Sequence, residues 1–291
     1  MRMAQTTCWP APAKLNLFLH VLGRRADGYH DLQTLFQFVD FADEVLLEPT
    51  TDGTIQLLEG AAGVAAGQDL AERAARLLQS HTRVRAGAKI VVRKRIPQGA
   101  GLGGGSSDAA TVLVALNHLW QTGLSPDELA ELGLTLGADV PVFVRGRAAW
   151  AEGVGERLVP VDIPEPWYLI TWPNVLVSTA RVFEATDLTR NTPRMKMADF
   201  LAGAGRNDCE SVVRRLYPAV AQMMDWLGRH APARLTGTGG AVFAAFERAE
   251  AAHAVLSERP AGCAGVVARG RNRSPLYEML AAATAARAQP V

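Results

Sequence analysis

Apolar and polar residues alternate from Ala13 onward. In AKLNLFLH, the residues Ala13, Leu15, Leu17 and Leu19 fall on one face of a predicted strand, and Lys14, Asn16, Phe18 and His20 on the other. After the turn-forming ADG of Ala26–Gly28, a second alternating run, HDLQTLFQFVD, groups His30, Leu32, Thr34, Phe36 and Phe38. Two neighbouring antiparallel strands are expected. The period then changes. DLAERAARLLQS predicts an amphipathic helix with Asp69 as its N-cap. AKIVVRKRI (Ala88–Ile96) predicts a strand that runs straight into PQGAGLGGGSSDAA, and SSDAATVLVALNHLW, apolar on nearly every side, predicts a buried helix. Ser125-Pro126-Asp127-Glu128 reads as a capping box with proline at the first helical position, and that helix should stop near Gly137. ADVPVFV, from Ala138, predicts another strand.

AAGVAAG (Ala61–Gly67) reads as a surface loop, and AAATAARAQPV as a helix fraying into a tail. Prolines 160, 164, 166 and 173 bracket the short apolar strand WYLITW, which sets an expected domain boundary: residues 1–159 and 160–291. A second glycine-rich turn lies in RLTGTGGAVFAAF (Arg234–Phe246). The pattern as a whole is α+β with mixed sheets.

Composition narrows the function. The 291 residues are 48% hydrophobic and 20% charged, enough for one large or two medium domains. A net charge of +1 gives no global electrostatic case for nucleic acid or a membrane. Cys8, Cys209 and Cys263 form no CxxC pair, which suits a reducing compartment rather than a disulfide framework. The N-terminal MRMAQTTCWPAPAK has no apolar segment of the secretory kind, and AATVLVALNHLW, broken by Asn117 and His118, falls short of a membrane span. A cytoplasmic protein is expected.

Five glycines between Pro97 and Ser106 are costly to order unless they serve a purpose. No lysine follows them, so a Walker A loop fails. Gly99, Gly101 and Gly104 fit GxGxxG, but the basic preceding strand and the lack of a ribose-binding acid about twenty residues on make a dinucleotide fingerprint a poor reading. Protein-kinase HRD and DFG elements are missing. What remains is a loop whose main-chain N–H groups wrap a polyphosphate, aided by the start of the next helix. Ser106 and Ser107 offer hydroxyls to phosphate or magnesium. Lys94, by strand alternation with Ile90, Val92 and Ile96, is either a cation facing phosphate or a strand-edge lysine reaching water.

PxxxGLGGGSSDAA, preceded by PAKLNLFLHVLGRRADGYHDLQTLFQFVD and followed by LGADVPVF and LTGTGG, strongly resembles the GHMP kinase superfamily, from about Pro10 to Pro275. GRRADGYHDLQTLFQF resembles the member whose substrate carries a cytidyl group. The resemblance implies two α+β domains with the active site in the cleft between them, ATP with Mg²⁺, and transfer of the γ-phosphoryl group to a tertiary hydroxyl of a cytidyl diphosphate polyol. It implies Asp139 as catalytic aspartate and Lys14 as catalytic lysine. ATP would be bound by Lys94, Pro97, Gly99, Gly101, Leu102, Gly103, Gly104, Gly105, Ser106 and Ser107. Substrate would be bound by Asn16, by Tyr29 and His30 at the cytosine, by Phe183 on its other face, and by Thr236, Gly237, Thr238 and Gly239. Magnesium would come with ATP, held by Ser106, by Ser107 or by the phosphates alone. Asp69 departs from the asparagine expected near adenine: a carboxylate only accepts hydrogen bonds, so its cap survives while a base contact loses its donor. Other readings are a kinase for another small alcohol, a non-catalytic nucleotide-binding module and, last, a nicotinamide oxidoreductase.

Overall fold

The computed structural model describes residues 6–65 and 67–288; residues 1–5 and the extreme tail expected from the sequence lie outside them. In chain order its elements are β1 (Thr7–Arg24), β2 (His30–Thr50), β3 (Ile55–Glu59), α1 (Leu70–Thr82), β4 (Gly87–Arg93), α2 (Gly104–Trp120), α3 (Pro126–Leu134) and α4 (Val140–Arg145). Then follow β5 (Ala149–Gly153), β6 (Arg157–Pro160), β7 (Trp167–Pro173), α5 (Thr179–Glu184), α6 (Met197–Leu201), α7 (Glu210–Leu216) and α8 (Pro218–Gly228). The chain closes with β8 (Arg234–Leu235), β9 (Val242–Phe246), α9 (Ala249–Ser257), β10 (Cys263–Arg271) and α10 (Pro275–Ala288).

β2 organises the whole molecule. One of its edges pairs antiparallel with β1 along nearly all its length. The other edge serves three partners in turn: β5 from Leu32 to Phe36, β10 at Phe38 and Val39, and β4 from Glu44 to Thr50. β10 leads on through β7 and β9 to β8, so one continuous hydrogen-bonded sheet joins both halves. Only the β3–β4 pair among the described strands is parallel, giving the mixed α+β architecture expected.

The strand alternation holds where it matters for the site and fails just beyond. Lys14 and Asn16 do share a face, but register shifts between Asn16 and Leu19 reverse the sense of the strand. Phe18 therefore joins Ala13, Leu15 and Leu17 in one apolar cluster. The strand expected to reach Ile96 ends at Arg93 instead, because the Asp43 carboxylate takes the backbone N–H groups of Arg95 and Ile96 at 2.5 and 2.8 Å. ADVPVFV is a helix, not a strand. A short apolar run has no decisive period, and here Pro141 in the first turn and Gly146 at φ +62 after the last favour one and a half helical turns.

Three apolar clusters hold the layers. The first gathers the far ends of β1, β2 and β4 under α1, α2 and α4, and Leu276 of α10 returns to it. The expected buried helix, α2, has Ala109 through Leu116 all buried. The second cluster lies under α7 and α8 and includes Leu19 and Val21 of β1. Between them, Leu15, Leu35, Leu102, Ile170 and Phe243 form a third. Each fully buried side chain of this kind contributes roughly 1.5–3 kcal/mol. The seam beneath the cleft is thus packed solid, and the glycine-rich turns are set against a fixed floor.

Candidate active site

A cleft of about 780 Å³ opens over the seam. Of the residues singled out from sequence, it brings together Lys14, Asn16, Tyr29, His30, Lys94, Pro97, Gly99 and Leu102, together with Gly101, Gly103–Gly105, Ser106, Asp139, Phe183, Gly237 and Thr238. Ser107, Thr236 and Gly239 stand behind its wall rather than on it.

The glycine loop is shaped from both sides. Gly101 has φ +76, and a Cβ there would lie 2.3 Å from the Thr236 carbonyl oxygen. Gly103 has φ +73 and caps α2; its Cβ would lie 2.8 Å from Phe143 and 3.1 Å from Lys14 Cε. Neither position tolerates a side chain. The two glycine-rich turns are tied together: Ala241 N–H donates to the Ala100 carbonyl at 2.9 Å, and the Thr236 hydroxyl accepts from Asn16 N–H at 2.9 Å. α2 has no side-chain cap, so its first-turn N–H groups, at Gly104, Gly105 and Ser106, have neither a capping oxygen nor an intrahelical partner. This 17-residue helix thus turns unpaired main-chain donors and the positive end of its dipole toward the cleft. The Ser107 hydroxyl is spent on the Pro12 carbonyl, 2.7 Å away, and fixes the helix to β1. Ser106 faces the cleft.

Lys14 and Asp139 meet at 3.3 Å. The lysine is 3% exposed, and its ammonium also donates to Asn16 Oδ1 at 2.5 Å and to the Gly101 carbonyl at 3.1 Å. Two of its N–H donors are thereby placed, one of them on the glycine loop itself, and Asp139 adds an ion pair. Asp139 precedes α4 without capping it, so its carboxylate stays available to Lys14 and the cleft.

Lys94 lies just past the end of β4 with a carboxylate on each side: Asp43 and Asp108, both at 2.5 Å. One N–H remains for the cleft. Burial works most strongly against the charged lysine, but Asp108 and Asp43 together outweigh it and raise its pKa. One cation cannot offset two buried carboxylates. Burial pushes the Asp108 carboxyl up to about 7 despite the attraction of Lys94, and its Oδ1 has no partner. Sequence reasoning missed Asp43 and Asp108; a lone lysine amid apolar residues was the only signal pointing to them.

At the far end of the cleft, His30 stacks on Phe183 with ring centroids 4.9 Å apart and planes 20° apart, while Tyr29 is 63% exposed beside them. The tight turn before Tyr29 is made by Asp27, whose carboxylate accepts the Tyr29 N–H at 3.1 Å. Asp69 caps α1 with one oxygen and takes Ala61 N–H with the other, at 2.9 and 3.1 Å, leaving it on the cleft wall with both oxygens engaged.

This arrangement is that of a small-molecule kinase, and the chain belongs to the GHMP kinase family. The model of the GHMP kinases N-terminal domain matches residues 69–147 and that of the C-terminal domain residues 189–264. A 4-diphosphocytidyl-2-C-methyl-D-erythritol kinase of Nitrosococcus oceani is 58% identical over 272 residues, 94% of this chain and 97% of that protein. A kinase of the same name from Halorhodospira halophila is 55% identical over 97% of this chain and 99% of its own length. Among solved structures, a 4-(cytidine 5'-diphospho)-2C-methyl-D-erythritol kinase superposes with a TM-score of 0.80 at 34% identity, covering 91% of this chain and 99% of that one. A mevalonate kinase, at 17% identity and a TM-score of 0.68, shares the fold.

Proposed function

We propose that this chain transfers the γ-phosphoryl group of ATP to the 2-hydroxyl of 4-diphosphocytidyl-2-C-methyl-D-erythritol. The single observation that carries the reading is the Lys14–Asp139 pair set beside the uncapped N-terminus of α2, with the aromatic pair His30–Phe183 at the other end of the same cleft.

The chemistry follows from those positions. A tertiary hydroxyl is too weak an acid for a carboxylate to deprotonate in the ground state. Asp139 instead orients it and accepts the proton as the new P–O bond develops. Lys14 keeps that carboxylate in place and lends positive charge to the attacking oxygen. Main-chain N–H groups from Gly103 to Ser106 hold the polyphosphate, and the dipole of α2 offsets its charge. Mg²⁺, arriving with ATP, supplies further charge compensation. The Ser106 hydroxyl is the loop group that would meet the ion. Gly237 and Thr238 border the polyol from the second turn, and Tyr29, His30 and Phe183 receive the cytosine. Lys94 braces the loop and leaves one donor for the nucleotide. With ATP as co-substrate, we place the enzyme in the cytoplasm.

A substrate panel tests this reading. With ATP and Mg²⁺, the cytidyl polyol should give ADP at a kcat/KM at least about a hundredfold above mevalonate or homoserine. Equal rates with mevalonate or homoserine, or no ADP with any of the three, would contradict it.

A further inference from the structure

Arg190 belongs to no motif of the chain and lies between α5 and α6, yet four of its five N–H donors are committed at the base-binding end of the cleft. Its Nε–H donates to His30 Nε2 at 3.1 Å. One terminal nitrogen donates to the Phe183 and Ala185 carbonyls at 2.7 and 2.8 Å, and the other to Leu188 at 3.1 Å. A guanidinium only donates and never loses its proton in a protein. Nε2 of His30 must therefore present its lone pair, and a neutral ring with that lone pair carries its proton on Nδ1. Burial first, then Arg190 and Arg24, hold the His30 pKa below the ordinary value, which keeps the ring neutral. No described protein group hydrogen-bonds to Nδ1. The same guanidinium grips the carbonyl of Phe183, the residue stacked on that imidazole.

We propose that Arg190 is a specificity-determining positioning residue. It fixes His30 as the Nδ1–H tautomer and holds Phe183 against it, so the base site offers a donor to a ring that presents an acceptor. The inference rests on the cytosine reading of this end of the cleft. Cytosine carries adjacent acceptors at N3 and O2; uracil has an N–H at N3. A donor locked on Nδ1 fits the first edge and opposes the N–H of the second. An imidazole free to switch tautomers would accept either.

Two measurements decide it. In ¹⁵N NMR of the ligand-free protein, with His30→Gln used to assign the signal, Nδ1 should be protonated and Nε2 not. In Arg190→Ala, the proton should move largely to Nε2, the site a free imidazole prefers. The same variant should raise KM for the cytidyl polyol about tenfold or more, the effect of losing an ordered hydrogen-bond partner. KM for ATP should stay within about twofold, and kcat within about threefold. Arg190→Lys, which keeps the charge but not the fork, should behave like the alanine variant. A wild-type ring protonated on Nε2 would overturn the proposal, as would an unchanged cytidyl KM or an equal rise in both KM values. If Arg190→Ala does not fold, the wild-type tautomer alone decides. If the wild type fails to phosphorylate the cytidyl polyol, the assigned reaction is wrong, while the tautomer measurement still tests the role of Arg190.

Discussion

The two ends of the cleft are built in opposite ways. The end proposed to hold phosphate comes mainly from one continuous stretch, Pro97 to Asp108, and would act through main-chain groups that any sequence of bare residues supplies. The end proposed to receive the base comes from three places, Tyr29–His30, Phe183 and Arg190, and would act through side chains aimed by other side chains. A backbone cradle is sensitive to an added Cβ and indifferent to most polar exchanges. A side-chain clamp is sensitive to a single distant anchor. The proposed chemistry sits at the first end, where Lys14 and Asp139 reach the loop from afar and Asp43 and Thr236 back it.

The division of labour can be broken by experiment. The largest effect should come from Asp139→Asn. Removing a positioned proton acceptor costs about 10²–10⁴ in kcat, with both KM values nearly unchanged; a rise in cytidyl KM instead would mean that Asp139 belongs to the base end. Next, Gly101→Ala places a methyl 2.3 Å from the Thr236 carbonyl at a positive φ. ATP binding should weaken by about tenfold or more and the melting temperature should drop, since such strain costs about 1–3 kcal/mol; isothermal titration and calorimetry read the two. Binding of the cytidyl polyol should change by less, and equal losses would dissolve the contrast. Phe183→Ala, at the other end, should raise cytidyl KM by about three- to tenfold with KM for ATP unchanged, from the loss of one aromatic face.

The smallest effect concerns the brace under the loop. Because the folded-state pKa of Asp108 is raised to about 7, the neutral acid is the form that folding favours. That contribution is complete below about 4, the ordinary carboxylate range, and lost as pH rises through about 7. The melting temperature should fall by a few degrees between pH 6 and pH 8.5, and Asp108→Asn should flatten that slope. An equally steep slope in the variant would show that the proton is held elsewhere.

The same contrast explains what could be read in advance. The glycine-rich loop at the start of α2 is legible because its shape is written in consecutive residues. Lys14 and Asn16 were placed correctly because two residues of spacing survive any strand that is regular for that length. Phe18 was misplaced because a register shift is invisible to an alternating pattern. Helix α4 is too short, at six residues, to carry a period that separates it from a strand. The Asp43–Lys94–Asp108 cluster joins residues 51 and 14 positions apart, from β2, the end of the β4 segment and α2, a distance no local pattern spans. Arg190 was illegible for the same reason: its partners are His30, 160 residues away, and carbonyl oxygens that every residue possesses.

The most direct test is a crystal structure with a non-hydrolysable ATP analogue and the cytidyl polyol bound together. The account predicts the polyphosphate on the N–H groups of Gly103 to Ser106, the γ-phosphate beside Lys14 and Asp139, and the cytosine against His30 and Phe183. A nucleotide tail bound away from that loop, or adenine seated where the cytosine should lie, would contradict it.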